Sequence, residues 1–454
     1  MKRKITLVAA VLSLATNCLL STFSCAQTIA GGYEHCLTVC SDNTAWTWGS
    51  NWRGELGNGS WLDSNVPVQV SSLTGIIAVA GGFNHSLALK NDGTVWAWGR
   101  NTDGELGNGN NTISNVPVQV SGLSVFTAIA SGFTHSIAVK NDGTVWAWGA
   151  NSSGQLGNGN NTNSNVPVQV SGLTGAIAIA GGQGHSLVMK NDGTLWACGR
   201  NDFGQLGNGN NTDSNVPVQV SGLTGAIAIA GGDSYYLALK NDGTIWTWGG
   251  GCTLSNIPVQ VSGLTGVIAI AGGYGHSLVL KSDGTAWAWG YNSHGQLGTG
   301  STNSSDCVPG QVVLLSGIIA IAGGGRHSLA LKQDSTAWAW GSGADGQLGN
   351  GNWSDSNFPV QVTGLCQVAA VNEITEPLSV SVFPNPATSE ALINFCKAER
   401  YDVQLFNMLG EILFETKISV EQMKIDVKDF LNGIYFVVVR DGENNLVVRK
   451  IVKM

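Results

Sequence analysis

One sequence unit, close to fifty residues long, recurs through residues 27–371 and limits what this chain can fold into. Its opening pattern, Gly-Gly-x-x-His-Ser or a close variant, begins at Gly31, Gly81, Ser131, Gly181, Gly231, Gly272 and Gly323. A unit this short cannot bury both of its faces alone, so the copies must pack against one another.

Each unit contains four short segments with the character of β-strands. In the second unit we predict strands over 76–80, 85–90, 94–98 and 67–70. The Asn-Asp-Gly sequence between two of them favours a tight hairpin turn. Seven four-stranded units predict an all-β fold, a seven-bladed β-propeller.

The charge balance excludes some partners. The chain has 30 acidic residues against 22 Lys and Arg, which gives a formal net charge of −8. This balance argues against nucleic acid or an anionic membrane as the partner. The hydrophobic fraction of 43% suffices for a sizeable core, so the composition is not that of a disordered chain.

The N-terminus has the organisation of a secretory signal. A basic start precedes an apolar run over 5–20, and the small residues Ser24 and Ala26 mark a cleavage site. We therefore expect residues 1–26 to be removed, with a lipid anchor on Cys25 as the alternative. No other segment approaches the ~20 apolar residues of a membrane helix, so no membrane span is predicted.

The composition changes near residue 371. Residues 27–371 contain 28 charged residues in 345 positions, whereas residues 372–454 contain 21 in 83. A linker is predicted over 372–377, and short alternating strands recur over 378–454. The sequence therefore predicts a propeller domain followed by a small β-sandwich.

The tail contains four short segments rich in aromatic, Gly, Pro and Lys residues. Their characteristic residues are Phe383, Pro384, Asn385, Pro386, Gly410, Gly433, Tyr435, Lys450 and Lys453. In their order along the chain these segments resemble the C-terminal sorting domain of the type IX secretion system. The resemblance implies that the secretion machinery is a partner and that the body is released or displayed on the outer cell surface. The alternative is an additional binding domain.

Three patterns follow one another in most repeats: Gly-x-x-His-Ser, then Asp-Gly, then a Trp followed by Gly-Gln-Leu-Gly. In this order, residues 27–366 resemble the regulator-of-chromosome-condensation repeat family. The resemblance implies a seven-bladed propeller used mainly as a binding scaffold. Members include a nuclear exchange factor for a small GTPase, a plant ultraviolet receptor and a secreted bacterial β-lactamase inhibitor.

Common catalytic and cofactor motifs are absent from the sequence. A Gly-x-Gly-x-x-Gly match over 341–346 leads into a turn, not into the helix whose N-terminus would face a phosphate. We therefore expect no cofactor, no metal site and no catalytic residue. Six histidines share one repeat position, and we expect them to be structural, with hydrogen bonds within each blade: His35, His85, His135, His185, His276 and His327.

Specificity on a repeated scaffold should reside where the repeats differ, and exposed aromatics and Arg are typical interface anchors. The candidate contact residues are Trp52, Arg53, Trp61, Tyr235, Tyr236, Tyr291, His294, Arg326 and Trp353. The leading interpretation is a monomeric, secreted or surface-displayed protein that binds a protein or glycan. One alternative is an extracellular hydrolase that uses Glu55, Asp103 and Glu105, and a more remote one is a nucleotide exchange factor.

Cysteines suggest how the ring closes. Cys40 replaces a repeated Lys, and Cys366 occupies the position of Thr74. If Ala80 lies opposite His85 in the hairpin, these two positions are close, and a Cys40–Cys366 disulfide is predicted. The first unit has only 28–30 of its own inner strand, so 367–371 is expected to complete it. Two unrelated free thiols are the alternative.

Overall fold

The protein is described by a computed structural model. The described residues are 26–122, 124–366, 380–385, 387–395, 400–407, 412–441 and 446–453. The regular secondary structure in these ranges is β-strand, and they contain no helix long and apolar enough to cross a membrane. The chain divides into two compact units between Gln367 and Val368.

Several predicted features lie outside the described residues. They are residues 1–25 of the signal peptide, the segment 367–371, the linker 372–377, and Pro386 and Gly410 of the tail.

Seven four-stranded antiparallel sheets form the first unit, and we number these blades 1 to 7 in chain order. The innermost strands are β1 (Ala26–Gly31), β5 (Ile76–Gly81), β9 (Phe126–Ser131), β13 (Ala176–Gly181), β17 (Ala226–Gly231), β21 (Val267–Gly272) and β25 (Ile318–Gly323). The second strands are β2 (His35–Cys40), β6 (His85–Lys90), β10 (His135–Lys140), β14 (His185–Lys190), β18 (Tyr235–Lys240), β22 (His276–Lys281) and β26 (His327–Lys332).

The outer half of each blade is equally regular. The third strands are β3 (Ala45–Gly49), β7 (Val95–Gly99), β11 (Val145–Gly149), β15 (Leu195–Gly199), β19 (Ile245–Gly249), β23 (Ala286–Tyr291) and β27 (Ala337–Gly341). The outermost strands are β4 (Ser64–Gln69), β8 (Ser114–Gln119), β12 (Ser164–Gln169), β16 (Ser214–Gln219), β20 (Ser255–Val261), β24 (Ser305–Gln311) and β28 (Ser356–Gln361). The predicted all-β, seven-bladed propeller is confirmed.

The predicted assignment of the fourth strand was wrong. The sequence placed 67–70 in the second unit, but β4 pairs with β3 of blade 1, where Trp46 lies opposite Gln69. Blade 2 takes its outer strand from β8, in which Gln119 lies opposite Trp96. Each blade therefore consists of four consecutive strands.

The predicted register of the inner hairpin was also wrong. Ala80 pairs with Leu87, not with His85, and a bulge then brings Ile76 opposite Lys90. In blade 1 the inner strand begins at Ala26, which pairs with Cys40. Blade 1 thus builds a six-residue inner strand from its own residues, longer than the three residues predicted.

Glycine at the inner strand ends lets neighbouring blades approach closely. A Cβ at Gly181 would lie 2.5 Å from the backbone nitrogen of Gly132 in the preceding blade. A ring of seven backbone hydrogen bonds, 2.9 to 3.2 Å long, joins the turns after these strands. The donor–acceptor pairs are Tyr33–Gly82, Phe83–Phe133, Phe133–Gly182, Gln183–Asp233, Asp233–Tyr274, Tyr274–Gly324 and Gly325–Gly32. The ring therefore closes from blade 7 onto blade 1.

The repeated histidines join neighbouring blades, so the prediction of bonds within each blade was wrong. The His35 Nε2 to Ser86 Oγ distance is 2.9 Å, and the same pairing links His85 to Ser136, His135 to Ser186 and His276 to Ser328. At the closure of the ring, His327 meets the thiol of Cys36 at 3.0 Å. The strand pattern shows that these rings are buried, but it does not show which blade they face.

The Gly-Gln-Leu-Gly loop provides a second link between blades. The backbone carbonyl of Glu55 accepts hydrogen bonds from Trp98 Nε1 at 2.7 Å and from Ser86 Oγ at 2.8 Å. Trp98 is fully buried. The repeated Trp makes this bond to the preceding loop in blades 1, 2, 3, 5 and 7, and the repeated Ser makes it in blades 2, 3, 4 and 7.

The second compact unit contains two sheets. Their strands are β29 (Val380–Phe383), β30 (Glu390–Phe395), β31 (Tyr401–Phe406), β32 (Ile412–Ile418), β33 (Gln422–Asp426), β34 (Gly433–Asp441) and β35 (Leu446–Lys453). The sheet orders are β29-β30-β33 and β32-β31-β34-β35. Alternating side chains from both sheets, including Ile393, Val403 and Val437, share one hydrophobic core. This unit is a small β-sandwich.

The predicted sorting residues organise the C-terminal edge of the sandwich. The Asn385 side chain donates to the Lys450 carbonyl at 2.6 Å and accepts from the Val452 amide at 2.8 Å. Lys453 is buried and donates to the Thr388 carbonyl at 2.6 Å. The segment that contains Asn385 is thereby fixed along the last strand. The other described members are Phe383, Pro384, Gly433, Tyr435 and Lys450.

Candidate binding face

The long loops of the propeller lie at one end of the blades. In blade 2 the turn over 82–84 and the loop over 100–113 share this end, whereas the Asn-Asp-Gly turn lies at the opposite end. The equivalent segments occupy the same end of every blade. We call this end the loop face.

Seven of the nine predicted contact residues lie on the loop face of three consecutive blades. They are Tyr291 and His294 of blade 6, Arg326 and Trp353 of blade 7, and Trp52, Arg53 and Trp61 of blade 1. The exposed fractions of Trp52, Trp61 and Trp353 are 54%, 51% and 49%. These three indoles are large apolar surfaces open to solvent.

Direct contacts tie the three blades together on this face. His294 Nδ1 lies 2.8 Å from a carboxylate oxygen of Asp355, which connects blade 6 to blade 7. Asn65 of blade 1 donates from its side chain to the Gly351 carbonyl of blade 7 at 2.7 Å. The Arg53 guanidinium lies 4.2 Å from the ring centre of Trp52.

Tyr235 and Tyr236 are core residues, and their prediction as contact residues was wrong. Only 5% of Tyr235 and 0% of Tyr236 are exposed. Tyr235 replaces the repeated His, and its hydroxyl donates to the His276 carbonyl of the next blade. Tyr236 replaces Ser, and its ring packs 4.7 Å from that of His185. Both residues perform the interblade role of the His-Ser pair.

Five carboxylates lie on the loop face of blades 7 and 1: Glu34, Glu55, Asp63, Asp345 and Asp355. Burial raises the pKa of Glu34, and Asp345 and Asp63 raise it further, although Arg326 opposes them. Burial also raises the pKa of Asp345, with Asp63 and Asp355 adding to the rise. Acidic side chains from two neighbouring blades are thus close enough on this part of the face to raise one another's pKa.

The carboxylates considered for hydrolysis have structural contacts. Arg100 binds both Asp103 and Glu105, each at 2.7 Å. The Glu55 carboxylate accepts from the Arg53 amide at 2.8 Å, as Gln155 does from Ser153 in blade 3. Glu55 and Glu105 thus act as the Gln of other blades does. Among the described residues, no group of three or more His, Cys, Asp or Glu could hold a metal ion.

Replacing Glu55 with Gln is expected to stabilise the propeller in a pH-dependent way. Burial raises the pKa of Glu55 from 4.5 to about 7. The folded state therefore binds this proton more tightly than the unfolded state, and stability falls as pH rises between these values. Glu55→Gln should gain ~2 kcal/mol at pH 6 and ~3 kcal/mol at pH 8, at 1.36 kcal/mol per unit. Urea unfolding at both pH values measures the gain.

Glu105→Gln is the matched control for Glu55→Gln. Glu105 occupies the same position in blade 2, but its carboxylate pairs with Arg100, so removing the charge also removes an ion pair. The control variant should gain less at pH 8. An equal gain in both variants, or a gain in Glu55→Gln that is independent of pH, would contradict the assignment.

An aromatic cluster at the centre of the loop face was not identified from the sequence. Tyr33, Phe83, Phe133 and Tyr274 occupy the position after Gly-Gly, or after Ser-Gly in blade 3, in blades 1, 2, 3 and 6. Neighbouring ring centres are 4.3 to 6.0 Å apart. The rings cluster at one end of an axial cavity of about 310 Å³, whose walls are the inner strands.

Two disulfides are present among the described residues. Cys40 and Cys366 are joined, with their Cα atoms 5.7 Å apart. Cys252 and Cys307 form a second bridge, which the sequence reasoning missed, with a Cα separation of 5.5 Å. The first bridge joins blade 1 to the end of blade 7, and the second joins blades 5 and 6.

Comparisons with family models identify both units. The model described as the regulator of chromosome condensation (RCC1) repeat matches residues 42–89, 92–139, 142–189, 192–239, 283–331 and 334–375. A second RCC1 repeat model matches 76–105, 126–155, 176–205, 267–296 and 318–347. The model of the secretion system C-terminal sorting domain matches residues 381–454.

Among curated relatives, the ultraviolet-B receptor UVR8 of Arabidopsis thaliana is 32% identical over 115 residues, which cover 25% of this chain and 24% of that protein. The probable E3 ubiquitin-protein ligase HERC6 of Homo sapiens is 41% identical over 85 residues, 18% of this chain and 8% of that protein. The matches thus span about a quarter or less of these relatives.

Solved structures support the fold. Human WBSCR16 has a TM-score of 0.65 at 25% identity, with 70% of this chain and 94% of that chain covered. Prp20p of Saccharomyces cerevisiae has a TM-score of 0.64 at 22% identity, with 76% and 88% covered. The fold and its loops therefore define a repeat-built, seven-bladed β-propeller. The chain belongs to the RCC1 repeat family, and it carries a secretion system C-terminal sorting domain.

Proposed function

We propose that this chain is an exported, non-enzymatic and monomeric propeller that binds a protein or glycan through its loop face. The observation that carries the proposal is the trio of half-exposed tryptophans, Trp52, Trp61 and Trp353, on adjoining blades 1 and 7. An indole ring buries a large apolar surface against a partner and loses little side-chain conformational entropy, so exposed tryptophans are suitable anchors of an interface.

The sorting domain supports the cellular location in this proposal. Its match over 381–454 supports export to the cell surface or the medium with the secretion machinery as a partner. We place the mature propeller outside the cell, either released or attached to the surface. Its accessible face would then meet extracellular macromolecules.

Removing the three indoles tests the proposed binding face. The variant Trp52→Ala, Trp61→Ala, Trp353→Ala is expected to lose at least ~10-fold in affinity, because central aromatic anchors carry most of an interface's energy. The measurement is affinity capture by the immobilised protein from culture medium and intact cells, followed by binding curves for each captured molecule.

Phe203→Ala is the control, since Phe203 is an exposed aromatic on the loop face of blade 4. It should leave capture unchanged. Unaltered binding by the triple Trp variant, with circular dichroism showing a folded protein, would reject the proposed face.

A further inference from the structure

Trp61 and Trp353 occupy one repeat position in two neighbouring blades. Blades 2, 3 and 4 have Asn at this position, and each Asn carbonyl accepts a hydrogen bond from the next blade, as Asn111 does from Asn165 at 2.8 Å. Blades 1 and 7 make the equivalent link through backbone carbonyls, for example Asn115 to Gly59 at 2.8 Å. The two indoles are therefore not needed for this link between blades.

Carboxylates accompany these indoles. Asp63 follows Trp61 by two residues, and Asp355 follows Trp353 by two. Both aspartates are exposed, and each accepts a backbone amide with one oxygen, from Asn51 and Gly343 respectively. We call Trp52, Trp61, Trp353, Asp63, Asp345 and Asp355 the acidic tryptophan patch.

The cations facing this patch are few. Arg53 lies against Trp52, and Arg326 offsets part of the charge of Glu34 and Asp345. His294 contacts Asp355, and it adds a positive charge only when protonated. The three aspartates of the patch, with Glu34 beside them, thus face two arginines, and the patch has an excess of negative charge.

Elsewhere in the propeller, a neighbouring Trp and Asp both contact the same lysine ammonium group. At the opposite end of the blades, Lys332 Nζ lies 5.7 Å from the Trp338 ring centre and 3.0 Å from an Asp334 oxygen. Lys90, Lys240 and Lys281 make the same double contact in blades 2, 5 and 6. An aromatic face beside a carboxylate attracts an ammonium or guanidinium group through both cation–π and Coulomb terms.

We propose that the acidic tryptophan patch binds a lysine- and arginine-rich segment of a protein partner. The inference deepens the proposed function and rests on it. Within the described part of the propeller, the lysines lie at the opposite end of the blades. A basic partner would therefore supply the ammonium and guanidinium groups that these tryptophans and aspartates can bind. The complementary charges would also speed association at low ionic strength.

The test uses a synthetic Lys/Arg-rich peptide and a Glu-rich peptide of equal length, with binding to the full chain measured at two salt concentrations. The first variant, Asp63→Asn, Asp355→Asn, keeps the amide acceptor, because Asn163 accepts the Asn151 amide in blade 3. The second, Trp61→Asn, Trp353→Asn, restores the residue of blades 2 to 4. The control is Asp213→Asn, an equivalent position in blade 4.

Each patch variant should bind the basic peptide ~10-fold more weakly than the unmodified chain at low salt. The control should lose less than ~2-fold in affinity. The Glu-rich peptide should not bind. Equal weakening by the control would show general attraction to an acidic protein and overturn the proposal. So would binding that either patch variant leaves intact.

Failure of this inference can be separated from failure of the proposed function. If molecules captured from cells require Trp61 and Trp353 but are glycans or acidic proteins, the binding face stands and the basic partner is rejected. If capture is insensitive to the tryptophans, the proposed function itself fails.

Discussion

Removing the Cys40–Cys366 bridge is expected to cost the propeller ~5 kcal/mol of unfolding free energy, because the chain-entropy model scales with the logarithm of the closed loop. The two residues are 326 positions apart, so the bridge restrains nearly the whole propeller in its unfolded state. The variant Cys40→Ala, Cys366→Ala avoids burying new hydroxyl groups, since both side chains are buried. Urea unfolding followed by tryptophan fluorescence gives the loss.

The second disulfide supplies the comparison. Cys252 and Cys307 are 55 positions apart, so the same model gives a loss about 1.5 kcal/mol smaller for Cys252→Ala, Cys307→Ala. Peptide mapping without reductant should find both bridges in the exported protein. Free Cys40 and Cys366 thiols, or a smaller loss for the ring-closing bridge than for the local one, would contradict the prediction.

The propeller architecture could be predicted because the repeat contains its own turn and strand signals. Asn-Asp-Gly turns, paired Trp residues and an Ala-rich strand recur at fixed spacing, and seven copies leave few ways to bury both faces of each sheet. The blade boundary could not be predicted this way. A repeat has no marked beginning, so 67–70 could be assigned to either neighbour.

Contacts between blades were harder to predict than strands. The apolar character of β6 is typical of a buried strand, in which His85 is buried, but only the stacking of blades reveals Ser136 as its partner. The aromatic cluster that includes Tyr33 and Phe83 has the same origin, since its members are 50 residues apart and meet only around the axis.

Two pairs of residues that were not predicted correctly had usable signals in the sequence. Tyr235 and Tyr236 stand where other units have buried His and Ser, so the repeat itself indicated the core. Cys252 and Cys307 each interrupt the repeat in neighbouring units, the first in a shortened loop and the second in an outer strand. Comparing repeat positions across adjacent units would have suggested that bridge.

Acidification is expected to unfold the propeller steeply below pH 6.5, and the six interblade histidines are the reason. Burial lowers the pKa of His35, His185 and His276 to about 4 and that of His85, His135 and His327 to about 3. The unfolded chain has histidines that protonate near 6.5, so between pH 6.5 and 4 it binds up to six more protons than the folded state.

The sign and size follow from proton linkage. Each of these histidines has a lower pKa in the folded protein than in the unfolded chain. The folded state is therefore fully stable above the unfolded pKa, and it loses stability as the pH falls from that value towards the folded pKa. Six such groups give a slope of up to ~8 kcal/mol per pH unit. Glu55 and Asp233 have raised pKa values of about 7 and about 6 in the folded state, so each takes up a proton on the folded side and offsets up to about one-sixth of this slope. Since a domain has only about 5–15 kcal/mol to lose, most of the stability should be lost by pH ~5.

Urea unfolding free energies measured from pH 8 to pH 5.5 test this linkage, with two variants of one interblade pair. His135→Gln removes a titrating ring and should reduce the slope by one proton, or ~1.4 kcal/mol per pH unit. Ser186→Ala removes the partner of that ring and a hydrogen bond to the Gln155 carbonyl, but no titrating group. It should therefore lower stability at every pH and leave the slope unchanged. A flat profile across this range, or equal slopes in the two variants, would mean that the buried histidines do not control the acid limit of the fold.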